Sequence, residues 1–317
     1  MGGMSRASQE PGAIIMKYVA PSAPLTVGGV LDNWIRLFSS SFSACWPLAL
    51  LAAAAGALVE FTITPALPTP GARPLQSYLN YWSALRGPTT ALSDIALLLI
   101  TLLIYSALLT QQAALARGEE PFPFADALAK GLRRVPQMLL GFVLLVLIIT
   151  AICVPFGIVT AVMIPFRHTP AIIPLAALGI IAFLVVIIYV TVRLQLWMAV
   201  IFSENRGGAS ALGRSWDLVK GNWWRVTGIA FVAGVVMWVV TMAFAMVVGI
   251  GIGIAGIRGT TPDQLVRRVQ LIGAVGQVAR LLTMPLLTAV WLAIYQDVRL
   301  RREGADLAAR AEALSGK

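Results

Sequence analysis

Charge, histidine and cysteine are all scarce in this chain, and each shortage excludes something. Only 12% of its 317 residues are Asp, Glu, Lys or Arg, against 58% hydrophobic residues. A soluble surface needs about twice that share of charge, so an ordinary pair of soluble domains is excluded. With one histidine, His168, neither a two-histidine zinc site nor a triad with a second histidine can be assembled. The two cysteines, Cys45 and Cys153, lie in apolar stretches, where a thiol behaves as a small hydrophobe and no disulfide framework can form. Paired intramembrane carboxylates for proton coupling are missing, since Glu60 and Asp94 only flank a loop. Alternating ten-residue segments, the mark of an outer-membrane barrel, are missing too. So is the basic-then-apolar start of a cleaved signal peptide.

What is present is a series of long apolar runs. A bilayer core of about 30 Å needs roughly 20 apolar residues in a helix. Six runs meet that length, at about residues 44–63, 91–114, 137–160, 171–202, 224–256 and 272–296. The fold class is therefore all-α, a polytopic membrane protein with six transmembrane helices. Residues 1–25, rich in Gly, Ser and Pro without periodicity, read as a mobile tail; 26–300 form the membrane domain; 301–317 form a charged helical tail.

Basic amphipathic segments precede the odd-numbered spans. The clearest is Gly208–Arg225, with Leu212, Trp216, Val219 and Trp223 on one face and Arg214, Asp217 and Lys220 on the other. A second, at about 121–136, places Phe124, Leu128, Leu132 and Val135 on one face and ends in Lys130, Arg133 and Arg134. A third, at about 28–47, repeats Leu31, Trp34, Phe38 and Phe42. Such segments are expected to lie in the interface plane as short elbows. Pro47 and Pro136 are expected to open the spans behind them, because a proline at a first helical turn leaves no amide unpaired. Trp197-Met-Ala-Val-Ile resembles Trp291-Leu-Ala-Ile-Tyr, each before a charged segment. The pattern predicts a parallel triplication of elbow, span, span, with a period near 85 to 90 residues.

Six spans place both termini on one side. With the elbows and tails inside, about 16 of the 24 Lys and Arg are cytoplasmic and about 6 external, which sets the orientation by the positive-inside rule. The net charge of +10 is thereby accounted for by a membrane surface, and no basic and aromatic patch suited to nucleic acid is found.

Candidate sites are few. Gly251-Ile-Gly-Ile-Ala-Gly256 has the letters of a dinucleotide fingerprint, but it ends a membrane span and lacks the strand, helix and acid that the chemistry needs; small residues for close helix approach are the better reading. His168 beside Arg167 is read as solvated. Pro155 is expected to kink the third span. The fourth run, longer than one membrane thickness, is expected to tilt or project. Arg193 and Arg280 are intramembrane cations that snorkel or pair, and Arg193 with Gln111, Gln195 and Gln296 could line a polar inner cavity. Trp34, Trp46, Trp216, Trp223 and Trp224 are expected to anchor helices at the interface. Arg133, Arg134, Arg214, Lys220 and Arg225 are expected to meet anionic headgroups. No catalytic, cofactor or metal residues are assigned.

Val154-Pro-Phe-Gly157, Trp197-Met-Ala-Val-Ile, Ala211-Leu-Gly-Arg-Ser-Trp216, Lys220-Gly-Asn-Trp-Trp and Tyr295-Gln-Asp-Val-Arg-Leu-Arg-Arg-Glu-Gly-Ala-Asp306 together resemble the bacterial YciC-like family. They are also similar to the membrane domain fused to some glycerophosphodiester phosphodiesterases. The likeness spans about residues 25–307. It implies a six-helix bacterial inner-membrane protein; the catalytic barrel of the fused enzymes has no counterpart here. The expectation is a non-enzymatic protein of the inner membrane, both termini cytoplasmic, acting in envelope or lipid homeostasis with membrane lipids as partners. The alternative is a transporter or permease component using the polar cavity.

Overall fold

The computed structural model describes residues 18–63, 88–163, 165, 169, 172–254 and 276–315. Its elements are α1 (Val27–Ile63), α2 (Pro88–Ala116), α3 (Phe124–Met163), α4 (Ile172–Leu194), α5 (Trp197–Glu204), α6 (Gly208–Val219), α7 (Trp223–Ile254), a 3-10 turn at Gln277–Ala279 and α8 (Arg280–Ser315). No strand occurs among the described residues. Six stretches are long and apolar enough to cross a membrane: α1, α2, α3, the α4–α5 pair, α7, and the 3-10 turn with most of α8. The chain is a multi-pass α-helical membrane protein.

The spans differ in how much protein surrounds them. In the most apolar 18-residue stretch of α3, the α4–α5 pair and α7, only 0%, 6% and 11% of residues are buried, against 33%, 44% and 56% in α1, α2 and α8. A helix that is apolar all round and buried by nothing must face lipid. The middle of the bundle is therefore α1, α2 and α8, with α1 packed mainly on α8 and α2, and α2 on α3. Gly131 makes the α2–α3 crossing possible, because a Cβ there would stand 2.8 Å from the Ala107 amide nitrogen.

The elbows depart from expectation in an instructive way. The first two are not separate: α1 and α3 run unbroken through Pro47 and Pro136. Neither proline opens its helix, since membrane helices tolerate an interior proline where neighbours or side chains serve the freed carbonyl. Only the third elbow, α6, is a helix of its own, set off by a short turn in which Asn205 takes a left-handed conformation (φ 56°). Its Gly208, Ala211, Leu212, Ser215, Leu218 and Val219 are buried. The apolar face thus packs on protein, chiefly α3, α4 and α5, and not on lipid.

The overlong fourth run breaks. Leu196 sits between α4 and α5 at φ −86°, ψ 0°, and Ser215 of α6 spans the gap. Its buried hydroxyl donates to the Arg193 carbonyl at 2.8 Å and accepts the Leu196 amide at 3.2 Å. Two backbone groups exposed by the break are satisfied by one side chain, which lets the chain turn at the membrane boundary without an orphaned amide.

The N-terminal stretch is another departure. Residues 18–25 belong to the bundle: Tyr18 is buried, and its hydroxyl lies 3.0 Å from Asn33 Oδ1 and 2.9 Å from Gln296 Oε1. Composition alone had placed them in the tail because it could not show the acceptors waiting on α1 and α8. Residues 1–17 lie outside the described part.

Candidate functional site: the polar end of the bundle

The start of α1, the α2–α3 connection, the α4–α5–α6 turn, the start of α7 and the late part of α8 share one end of the bundle. Three arrangements of charge occur there. The first centres on Asp297, whose side chain is fully buried. It accepts the Leu25 amide at 2.9 Å, Arg225 Nε at 2.9 Å and Arg301 Nε at 3.2 Å. Both arginines also donate through Nη2 to the Leu25 carbonyl. A buried carboxylate is retained only where such donors surround it.

The second centres on Glu204 at the end of α5. Arg214 bridges it at 2.9 Å to Glu303 of α8, Arg206 joins from the turn at 2.7 Å, and Tyr295 donates its hydroxyl at 3.0 Å. Burial opposes the charge on Arg214, yet hydrogen bonds from it to Glu204 and Glu303 carry its pKa above the ordinary guanidinium value.

The third is different in kind. An open pocket of about 270 Å³ lies where the end of α2, the start of α3 and Phe202 of α5 meet, lined by Thr110, Arg117, Lys130, Arg133 and Arg134. Gln111 holds Phe122 in its wall: Oε1 accepts the Phe122 amide at 2.8 Å and Nε2 donates to the Phe122 carbonyl at 2.6 Å. That clamp sets the Phe122 ring under Lys130, whose Nζ stands 3.1 Å from the ring centroid. Glu119 pairs with Arg117 at 2.6 Å, and that hydrogen bond holds its carboxyl below the usual range. Among the described residues Lys130, Arg133 and Arg134 have no carboxylate partner.

Several expectations are corrected by this geometry. Gln111, Arg193, Gln195 and Gln296 do not converge on one cavity. Gln111 holds Phe122. Gln296 accepts Asn33 Nδ2 at 3.0 Å. Arg193 donates to the Trp216 carbonyl at 2.9 Å and the Tyr189 hydroxyl at 2.6 Å, with its guanidinium over both rings. Gln195 Nε2 is buried without a partner among the described residues. Gln111, Gln296 and Arg193 each serve a different contact, which removes the support for a transport cavity.

Trp34 is not an interfacial anchor: it is 1% exposed, and its Nε1 donates to the Leu286 carbonyl at 2.8 Å. The helical period showed that it shares a face with Phe38, but not that the face meets α8. Arg214 and Arg225 are tied to Glu204, Glu303 and Asp297, so neither presents a free charge. By contrast Trp46 is half exposed, Trp224 is 82% exposed, and Trp216 and Trp223 flank Tyr189. Arg280 lies against Gly56 of α1. His168 lies outside the described residues, as do residues 255 and 256 of the glycine tract. Among the described residues no three His, Cys, Asp or Glu side chains group to hold a metal ion.

Asp297, Glu204, Ser215 and Gln112 were not singled out by sequence reasoning as sites. Gln112, buried on α2, donates to the Pro285 carbonyl at 2.8 Å. The available signal was a polar residue inside or at the edge of an apolar run, which is costly in a membrane unless partnered. Comparison with curated proteins and with solved structures finds no match. Residues 132–298, more than half of the chain and running from the third turn of α3 to just past Asp297, match the family model of DUF7847, a domain of unknown function, and the chain belongs to that family.

Proposed function

We propose that this is a non-enzymatic protein of a bacterial inner membrane, oriented with its polar end and both termini in the cytoplasm, where it engages the anionic leaflet and supports envelope or lipid homeostasis. The observation that carries this is the imbalance of charge at the polar end. Among the described residues Glu119, Glu204, Asp297 and Glu303 are spent on ion pairs and Asp32, Glu120, Asp126 and Asp217 are in none, yet Lys and Arg still outnumber the acids at this end, and Arg36, Lys130, Arg133, Arg134 and Lys220 have no carboxylate partner. Trp216 and Trp224 stand exposed near the same level. Unpaired cations beside exposed indoles suit an anionic headgroup region, each cation contributing on the order of 1 kcal/mol. The resemblance to YciC-like membrane proteins supports the same reading.

The test is lipid composition around the purified protein, extracted gently from a membrane of mixed lipid. Anionic lipid is expected to be enriched over the bulk, and the enrichment to fall when Arg36, Lys130, Arg133, Arg134 and Lys220 become glutamine. Equal composition in the two preparations would falsify the electrostatic reading.

A further inference from the structure

We propose that the pocket between α2, α3 and α5 is a discrete binding site for the phosphate of one anionic phospholipid, with the lipid tails lying along α3. This rests on the leaflet reading above and narrows it from a charged surface to a single site.

Three observations point there together. First, the pocket concentrates more positive charge than the protein neutralises: Arg117, Lys130, Arg133 and Arg134 line it, and among the described residues Glu119, beside Arg117, is the one carboxylate in an ion pair with any of them. The other two charge clusters at this end each contain a carboxylate that is almost wholly buried. Second, the pocket is built, not an accident of mobile surface side chains. The Gln111 amide fixes Phe122 through two hydrogen bonds, Phe122 seats Lys130, and Arg117 reaches the Phe202 carbonyl at 3.4 Å. Thr110 adds a hydroxyl to the lining. Guanidinium forks and an ammonium around one cavity match the acceptor geometry of a phosphate.

Third, the site continues into an apolar track. Residues seven apart lie on nearly the same face of a helix, and Arg133 is followed at that spacing by Leu140 and Leu147, both exposed. Val143 and Val146 beside them are exposed as well. None of the described residues buries this stripe in the most apolar part of α3. A free phosphate would use the cations alone. A phospholipid uses the cations and the stripe, and only it explains why the pocket opens at the foot of a bare membrane-facing helix.

Native mass spectrometry of the full chain, titrated in neutral detergent with phosphatidylglycerol, phosphatidylcholine or inorganic phosphate, tests this. The intact protein is expected to retain one phosphatidylglycerol in preference to phosphatidylcholine. Replacing Lys130, Arg133 and Arg134 together with glutamine is expected to weaken that one-lipid state about a hundredfold, since each cation near an anionic surface is worth about fivefold. Arg133→Gln alone, at an exposed position, is expected to weaken it about fivefold and serves if the triple variant does not fold. A control variant with Arg36, Arg206 and Lys220 changed to glutamine removes the same charge outside the pocket and is expected to keep the one-lipid state within twofold.

If the two triple variants lose the lipid equally, the discrete site is wrong while the leaflet reading stands. Retention of both lipids alike by the intact protein would sink the leaflet reading together with the site. Displacement of phosphatidylglycerol by an equal concentration of inorganic phosphate would overturn the lipid assignment.

Discussion

The outward faces of this bundle and its polar end are built on opposite rules. Through the middles of α3, α4 and α7, Leu, Val and Ile face outward and little protein packs on them. Lipid is as apolar as leucine, so those side chains are held in place by hydropathy and not by particular neighbours. At the polar end the reverse holds. Asp297, Ser215, Gln112 and Trp34 are buried, and each has named partners on another segment of the chain. Specificity of fold is concentrated where a buried polar group has a limited set of satisfying partners; residence in the membrane is spread over many exchangeable residues.

Mutations should break that contrast in a graded way, measured by thermal unfolding of the purified protein in one detergent. The largest loss is expected from Asp297→Ala, about 3 to 5 kcal/mol, because Arg225 and Arg301 are left facing one another in a largely buried site. Next comes Gly208→Ala. The new methyl would collide with the Gln137 carbonyl and stand 2.6 Å from the Gly141 amide nitrogen, where α6 crosses α3, and such overpacking costs about 1 to 3 kcal/mol. Ser215→Ala should cost about 1 to 3 kcal/mol by leaving the Leu196 amide unpaired at the α4–α5 break. Conservative exchanges in the lipid-facing set, such as Leu147→Ile or Val185→Ile, should shift stability by less than about 0.5 kcal/mol. If one of those exchanges cost as much as Ser215→Ala, the outer faces would be packed on a partner and the contrast would fail.

Legibility in the sequence follows the same division. The apolar runs were readable because bilayer thickness imposes a length that composition alone reveals; that is why the six crossing stretches could be placed. Partnership is a different kind of information. Trp34 and Trp46 look alike in a helical wheel, yet one is sealed against Leu286 and the other is half exposed. Arg133 and Arg225 both stand beside amphipathic segments, yet only Arg225 meets a buried carboxylate, on a helix 72 residues away. Ser215 could not be recognised in advance, since its role depends on a helix break that hydropathy does not record. Tyr18 was lost to composition, because a segment without periodicity can still be held by two side-chain amides.

The pairing of α1 with α8 also sets an order of assembly. Asn33 and Trp34 find their acceptors at Gln296 and Leu286, and the Leu25 amide finds its own at Asp297, 263, 252 and 272 residues downstream. As the chain is made, the first helix enters the bilayer long before its main partner exists. Until the last helix arrives, an indole N–H and a carboxamide wait unpaired, exposed to whatever surveys unfinished membrane proteins. Completion of the C-terminal helix is therefore the step that closes the protein, and a chain cut before residue 280 would hold most of its hydrophobic mass but leave Leu25, Asn33, Trp34 and Arg225 without their partners.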